Sequence, residues 1–166
     1  MLKSKIEDIL NRQIERELYS SNLYLAMASW AETTGYEGTA EWLYMQADEE
    51  HMHMLKFIKY VNDRGGKALI PATEQPPREF GDVHSMFKEV LKHEEYISDS
   101  IGEIVGLSME EKDYTTHNWI QWFVTEQIEE EATVRGILDK LTLLNGQNMY
   151  MFDRDLKGSR SSPAAE

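Results

Sequence analysis

The 166-residue sequence contains no cysteine. Disulfide bonds, thiolate metal sites and a cysteine nucleophile are therefore excluded. Long apolar runs are absent too, because no segment approaches the roughly 18 residues that a membrane-spanning helix requires. Residues 1–5 lead directly into a polar, amphipathic segment and lack the apolar core of a signal peptide. We therefore expect a cytoplasmic protein without a membrane partner.

Positive charge is scarce, since 17 basic residues stand against 30 acidic ones and the formal net charge is −13. Such a chain is poorly suited to bind nucleic acid or an anionic membrane, because both repel it. An acidic surface that aids solubility is the simpler interpretation, and an acidic lining that attracts cations is the alternative. Hydrophobic residues make up 41% of the chain, as in globular proteins. The length predicts one domain, residues 1–156, followed by a flexible tail at 157–166.

Four long amphipathic segments and one short one predict an all-α protein, since no alternating strand pattern is found. Ser4 and Glu7 have the spacing of a capping box, which predicts that the first helix begins at Ser4. That helix ends near Thr34, and the others run from about Glu37 to Arg64, from the N-cap Asp82 to about Met109, from Ser108 or Asp113 to about Leu144, and from Met149 to Leu156.

The connections between the helices predict how the helices pack. Gly35 and Gly65 are suited to the left-handed conformation that ends a helix. Short loops follow the first and third long helices, and each of these loops predicts an antiparallel helix hairpin. Residues 67–81 hold three of the four prolines and predict an extended crossover. The expected fold is a four-helix bundle, made of two hairpins joined by one long crossover, with a short fifth helix.

The apolar stripe of each long helix is interrupted near its middle by a carboxylate or an amide. The four carboxylates are Glu17, Glu50, Glu94 and Glu130. A buried carboxylate is costly unless a counter-charge compensates it. No lysine or arginine occupies these stripe positions, and carboxylates repel one another. The pattern therefore predicts bound multivalent cations.

A repeated spacing supports a metal site at these positions. Glu17 and Glu50 are 33 residues apart, and so are Glu94 and Gln127. The second member of each pair has a ligand-type residue three positions later, and residues three apart share one helix face. Two pairs can therefore each chelate one metal, namely Glu50 with His53 and Gln127 with Glu130. The other histidines lie off this pattern and are interpreted as surface or hydrogen-bonded side chains: His51, His84, His93 and His117.

The types of ligand favour iron or manganese over zinc, because oxygen donors outnumber the single imidazole. Two ferrous ions held close by a shared carboxylate such as Glu50 can pass electrons to one O2 or peroxide. Tyr24 lies two turns after Glu17 on the same helix face. It is predicted to hydrogen-bond a ligand carboxylate or to donate an electron, and a core tyrosine with a satisfied hydroxyl is the alternative.

Four segments resemble those of bacterial non-haem ferritins, and the resemblance extends over residues 1 to about 156. Glutamates on two helices together with Glu-x-x-His are the general description of ferritin-like carboxylate proteins, so this ligand pattern belongs to the resemblance. The resemblance implies ferroxidase activity, iron storage and a hollow shell of 24 identical subunits around a ferric mineral. The segments that carry it are residues 17–21, 49–54, 121–123 and 126–131.

The resemblance also implies three iron sites in each subunit. Their ligands would be, in turn, Glu17, Glu50 and His53; Glu50, Glu94 and Glu130, with Gln127 nearby; and Glu49, Glu126, Glu129 and Glu130. It gives catalytic roles to Tyr24, Glu50 and His53. No haem is expected, because His51 stands where bacterioferritins carry the haem-ligating methionine. Glu130 stands where bacterioferritins have histidine, which favours turnover of iron through the site over a permanent di-iron cofactor.

Three other function classes compete with storage. A di-iron oxygenase or peroxidase on the same bundle would need a substrate pocket beside the metals. A rubrerythrin would need cysteines for its iron–sulfur ligands. A metal-free helical scaffold would leave the 33-residue spacing without a reason.

Overall fold

The computed structural model describes residues 2–159, and Met1 and residues 160–166 lie outside the described part. Within this part the chain is all-α, as predicted, with helices α1 (Ser4–Thr33), α2 (Glu37–Asp63), α3 (Val83–Glu110), α4 (Tyr114–Leu144) and α5 (Met149–Leu156). Most of the predicted tail, residues 157–166, lies outside the described residues. No helix of residues 2–159 is both long and apolar enough to span a lipid bilayer.

The starts of α3 and α4 are fixed by aspartate caps. Asp82 accepts a hydrogen bond from the Ser85 main-chain N–H at 2.7 Å, as predicted. Asp113 accepts one from Thr116 N–H at 3.1 Å. Ser108 lies inside α3 instead, where its hydroxyl donates to the Val105 carbonyl at 2.7 Å. Of the two candidates for the start of the fourth helix, Asp113 is therefore the cap.

The predicted capping box at the start of α1 is wrong. Ser4 is already a helical residue, and Lys3 occupies the N-cap position without a side-chain capping bond. The carboxylate of Glu7 accepts a hydrogen bond from the Lys67 main-chain N–H at 2.9 Å. Glu7 therefore connects the first turn of α1 to the crossover, and its carboxylate does not cap the N-terminus of α1.

The four long helices form two hairpins joined by a long crossover, as predicted. Helix α1 packs on α2 and α3 packs on α4, while contacts between α1 and α3 join the hairpins. The crossover follows α1 along its length. Asn11 bonds the main chain of Lys67 and Leu69, and Asn22 Nδ2 donates to Thr73 Oγ1 at 3.0 Å. These asparagines hold the extended, proline-containing crossover against the bundle.

The core consists of two apolar clusters with a polar layer between them. One cluster contains Tyr24, Leu43, Phe87, Val90 and Val134, and the other contains Ile14, Phe57, Ile97, Ile101 and Phe123. Fully burying an aliphatic or aromatic side chain of this size stabilises the fold by about 1.5–3 kcal/mol. The two clusters therefore supply the energy that holds an unfavourable polar layer in place.

Helix α5 is anchored to the first turn of α2 by one carboxylate. Asp153 accepts hydrogen bonds from the main-chain N–H groups of Gly38 at 2.9 Å and Thr39 at 2.7 Å, and from the Thr39 hydroxyl at 2.8 Å. Free N–H groups at a helix start favour a negative charge. The aspartate of α5 thus serves as a cap for a helix more than a hundred residues earlier in the chain.

Replacing Gly38 with alanine is expected to displace α5. The added Cβ would lie 1.9 Å from the main-chain oxygen of Asp153, and overpacking of this kind costs about 1–3 kcal/mol. The measurement is the thermal unfolding midpoint at fixed subunit concentration, which should fall.

Gly102→Ala is the matched control. Its added Cβ meets nothing within 4 Å in the interior of α3, so the change should raise stability by about 0.5–1 kcal/mol. Unchanged midpoints for Gly38→Ala would contradict the close packing of α5 on α2.

Candidate metal centre

The polar layer brings together one carboxylate from each long helix. Glu17, Glu50, Glu94 and Glu130 come from α1, α2, α3 and α4 in turn, and their exposed fractions are 1%, 1%, 0% and 3%. Each sits where the apolar stripe of its helix is interrupted. The four helices therefore meet in register, and all four side chains lie inside the bundle as the sequence predicts.

Glu17, Glu50 and His53 form a close cluster within this layer. Each offers one ligand atom, and these atoms all lie within 4.8 Å of one another. His53 Nδ1 lies 3.4 Å from Glu50 Oε2. The imidazole is held edge-on by Trp122 and Phe123, each with a ring centroid 5.5 Å away. The three residues predicted to bind the first iron thus lie close together.

Two glutamines orient the carboxylates of α1 and α2. Gln13 Nε2 donates to Glu17 Oε1 at 2.8 Å, and the Ser100 hydroxyl donates to Gln13 Oε1 at 2.9 Å. Gln46 Nε2 donates to Glu130 Oε2 at 3.0 Å and to Glu50 Oε1 at 3.4 Å. Partners of this kind fix the orientation of metal ligands and tune their affinity.

Glu94 is held by a tyrosine and a glutamine. The Tyr24 hydroxyl donates to Glu94 Oε1, and Gln127 Nε2 donates to Glu94 Oε2 at 3.0 Å and to the Glu94 main-chain oxygen at 3.2 Å. Tyr24 therefore bonds the carboxylate of a residue that the sequence predicts to be a metal ligand. The amide nitrogen of Gln127 acts as a donor to Glu94, so Gln127 positions a neighbouring ligand in this arrangement.

A second cluster lies beside the first and shares His53 with it. Glu49, His53 and Glu126 also offer ligand atoms within 4.8 Å of one another, and both glutamates are only partly buried. Glu129 and Glu130 fall outside this cluster, although the charges of both raise the pKa of Glu126, after burial as the largest cause. The structure thus brings together two of the four residues assigned to a third iron site.

Burial sets the electrostatics of the layer. It raises the pKa of Glu17 well above its usual range, and the charge of Glu50 adds to this effect. Burial does the same to the pKa of Glu50, with Glu94 as the next cause. The pKa of Glu94 is raised to about 7 by burial and then by Glu130. Desolvation disfavours charge here, and the charges of Glu50, Glu94 and Glu130 raise the pKa of neighbouring carboxylates further.

The unsatisfied oxygens of this layer fit a metal ion. Glu17 Oε2 and Glu50 Oε2 are buried and have no hydrogen-bond partner. A buried carboxylate oxygen left in this state costs free energy. The donors that reach Glu17, Glu50 and Glu94 are neutral amides and a phenol. Divalent cations bound to the free oxygens would compensate both the missing bonds and the negative charge.

The chain matches the profile of the ferritin-like domain over residues 7–144. The chain belongs to the ferritin family. It is 37% identical to a bacterial non-heme ferritin of Campylobacter jejuni, with 95% of each chain covered, and 39% identical to one of Escherichia coli, with 94% and 96% covered. An open-pore ferritin structure from the archaeon Archaeoglobus fulgidus superposes with a TM-score of 0.94 at 38% identity, covering 96% of this chain and 98% of that one. These matches confirm the ferritin-like fold and the predicted resemblance.

The orienting roles of Gln13 and Gln46 are not predicted by the pattern of metal ligands, although the sequence carries a signal for both. Gln13 and Gln46 are 33 residues apart, the same spacing that separates Glu17 from Glu50. Each glutamine lies four positions before its glutamate, on the same helix face.

His93 is bonded, as the sequence reasoning expected for histidines outside the pattern. One of its ring nitrogens lies 2.7 Å from the Ser20 hydroxyl. Burial lowers the pKa of His93 to about 4, so the imidazole is neutral near physiological pH. It is therefore no counter-ion for the glutamates of this ferritin.

The raised carboxylate pKa values predict that the metal-free ferritin becomes less stable as pH rises. A carboxyl group that is harder to ionise in the folded state contributes its full stabilisation at low pH, where it is protonated in both states. As pH rises, the group ionises first in the unfolded chain, so this contribution to the free energy of unfolding is lost. For Glu94, whose pKa rises from 4.5 to about 7, the loss is on the order of 3 kcal/mol. The unfolding midpoint, measured in chelator at fixed subunit concentration, should fall between about pH 5 and pH 7.

Glu94→Gln separates this effect from repulsion between surface charges. It removes the titrating group and leaves the surface unchanged, so the midpoint should depend less on pH than in the wild type. A midpoint that rises with pH over this range, or an unchanged slope in Glu94→Gln, would contradict the assignment.

Proposed function

We propose that this ferritin stores and detoxifies iron, and that its buried carboxylate layer is a ferroxidase site that oxidises Fe(II) to Fe(III). The observation that carries the proposal is the layer itself, in which Glu17, Glu50, Glu94 and Glu130 are all buried, and ligand atoms of Glu17, Glu50 and His53 lie within 4.8 Å of one another. The names of the relatives support iron as the substrate.

Iron is the substrate of the proposed reaction. Glu17 and His53 bind the first ferrous ion, Glu94 and Glu130 bind the second, and Glu50 is shared between them. Each ion loses one electron, so that one O2 is reduced to hydrogen peroxide, or one peroxide to water. Carboxylates and one imidazole suit ferrous and ferric iron alike, which lets both oxidation states occupy the same ligands.

The surrounding side chains prepare this site before iron arrives. Gln13 and Gln46 each bond one carboxylate oxygen, of Glu17 and Glu50 in turn, and the Oε2 atoms of both glutamates remain without a hydrogen bond. Tyr24 fixes Glu94 and lies close enough to donate an electron. Such preorganisation lowers the cost of rearranging ligands when the metal binds.

We assign a third iron site to Glu49, Glu126, Glu129 and Glu130, beside the ferroxidase site. Glu49 and Glu126 meet His53 in the second cluster, and Glu130 bonds Gln46 within the buried layer. This arrangement supports a route by which iron leaves the layer for storage. Since the second site has glutamate at position 130, we expect both irons to pass through and not to remain as a cofactor.

The storage proposal includes a shell of 24 copies of this chain around a ferric mineral, in the cytoplasm. The match to ferritin structures over nearly the whole chain supports a cage-like oligomer. A di-iron oxygenase on the same bundle is the competing function. It requires an organic substrate beside the metals, whereas apolar clusters of large side chains pack against the layer on both sides.

Adding ferrous iron in air separates these functions. A storage ferroxidase should retain many irons per chain in a particle with the mass of a 24-mer. An oxygenase should retain about two, and a scaffold should retain none. Iron content per subunit, measured with native mass or light scattering on the same sample, decides between them.

Glu50→Gln is expected to abolish the fast phase of ferrous oxidation. The change keeps the size of the side chain but removes the charge of the shared ligand. Loss of an outer partner of a metal ligand already costs about 10–100-fold in affinity or activity, so loss of a shared ligand should cost at least as much. Stopped-flow absorbance of ferric product gives the rate.

Glu110→Gln is the matched control, because Glu110 is exposed at the end of α3. It should leave the rate unchanged. Equal rates for Glu50→Gln and Glu110→Gln would place oxidation elsewhere in the protein and contradict the proposed site.

A further inference from the structure

We propose that the ammonium group of Lys56 is a tethered cation that competes with iron for the second cluster, formed by Glu49, His53 and Glu126. The competition weakens the hold of this cluster on iron and so favours passage of iron out of the buried layer. The inference rests on the proposed function, because that function assigns the second cluster to iron in transit. Lys56 is an exposed residue of α2, and its charge is opposite to that of the two glutamates.

The second cluster lies between two facing stripes of α2 and α4. On α2, His53 follows Glu49 by four residues and Lys56 follows His53 by three, a spacing that keeps side chains on one helix face. On α4, Trp122 and Glu126 are also four residues apart. The stripes meet where the ring of His53 contacts that of Trp122. Lys56 is therefore the next residue of the α2 stripe after the last ligand of the cluster.

Trp122 holds the ammonium group of Lys56 beside the cluster. The Lys56 Nζ lies 3.3 Å from the centre of the Trp122 ring, and the face of an indole attracts a cation. The same indole meets the imidazole of His53 at an angle of 82°, with ring centroids 5.5 Å apart. One ring thus contacts both the ammonium group and a ligand of the cluster, and 40% of its surface is exposed.

The charge of Lys56 acts on the cluster itself. Burial raises the pKa of Glu126, whereas the positive charge of Lys56 opposes that rise. The ammonium group is thus close enough to favour the ionised form of Glu126 when no metal is bound. Because a lysine head group sits on a flexible four-carbon stem, it can turn to solvent when a divalent ion takes its place.

A cation that must be displaced makes the binding of a second cation weaker. Repulsion between the ammonium group and a divalent ion is reduced by water and salt at an exposed site, but it is not removed. The ligands of the second cluster should therefore bind iron less tightly with Lys56 than without it. Iron that is held loosely at this point leaves sooner for storage, so Lys56 favours turnover over retention.

The test measures anaerobic binding of ferrous iron to the assembled protein through quenching of Trp122 fluorescence. The same titration of Trp122→Phe gives the signal of the other tryptophans, which is subtracted. Lys56→Gln removes the charge and keeps most of the stem, whereas Lys56→Arg keeps the charge. Lys59→Gln is the matched control, because Lys59 is an exposed lysine of the same helix that pairs with Asp63 at 2.9 Å.

Lys56→Gln should tighten the binding of iron by roughly 3- to 10-fold, whereas Lys56→Arg and Lys59→Gln should match the wild type. In a Glu126→Gln background the gain should shrink, because the carboxylate that the ammonium group and iron share is lost. In air, Lys56→Gln should keep the first fast phase of oxidation, which also shows that it has folded. Recovery of that phase before a second addition of iron should be several-fold slower.

Equal affinities of Lys56→Gln and the wild type would overturn the role of Lys56. The same gain in Lys59→Gln, an undiminished gain in the Glu126→Gln background, or a wild type whose Trp122 fluorescence does not respond to iron would overturn it too. These results leave the ferroxidase proposal standing, because the first fast phase tests that proposal separately. A wild type that binds ferrous iron but does not oxidise it in air would contradict the ferroxidase proposal, and the comparison of affinities would still decide the role of Lys56.

Discussion

Burial of four like charges in one layer of the bundle is the constraint on which the rest of the structure depends. Glu17, Glu50, Glu94 and Glu130 cannot all ionise there without cations, because desolvation and mutual repulsion both oppose it. The apolar clusters on either side supply the packing energy that tolerates this layer. The neutral glutamines bond some of the carboxylate oxygens and leave Glu17 Oε2 and Glu50 Oε2 without a hydrogen-bond partner. The protein thus keeps a buried acidic layer whose charge bound metal ions would compensate.

The fold holds this layer in register from its ends. At one end, Arg64 bonds Asp113 at 3.1 Å and joins α2 to the start of α4. At the other end, Asp153 caps α2 and fixes α5. The crossover, pinned along α1 by Asn11 and Asn22, allows the second hairpin to begin at the correct end of the first. These contacts tie α2 to the start of α4 at one end and to α5 at the other, and they oppose sliding of α2 along the bundle.

Periodic features of this chain could be predicted from the sequence, and features set by distant contacts could not. The helices follow from the apolar stripes, and the inward glutamates follow from the interruptions of those stripes and the 33-residue spacing. Glu7 and Asp153 bond the main chain of residues 60 and 114 to 115 positions away. No local pattern encodes these bonds, so the capping box was predicted wrongly. Gln46 could have been found from its spacing. The assignments of individual iron ligands remain predictions, because the fold alone does not reveal which oxygens a metal selects.

Anomalous diffraction at the iron absorption edge, from crystals soaked anaerobically with ferrous salt, tests the central claim most directly. The account predicts two iron peaks inside the polar layer, one beside Glu17, Glu50 and His53 and the other beside Glu50, Glu94 and Glu130. Iron bound only at exposed carboxylates, with the layer free of metal, would contradict it, since the buried charges would then have to be neutralised by protons alone.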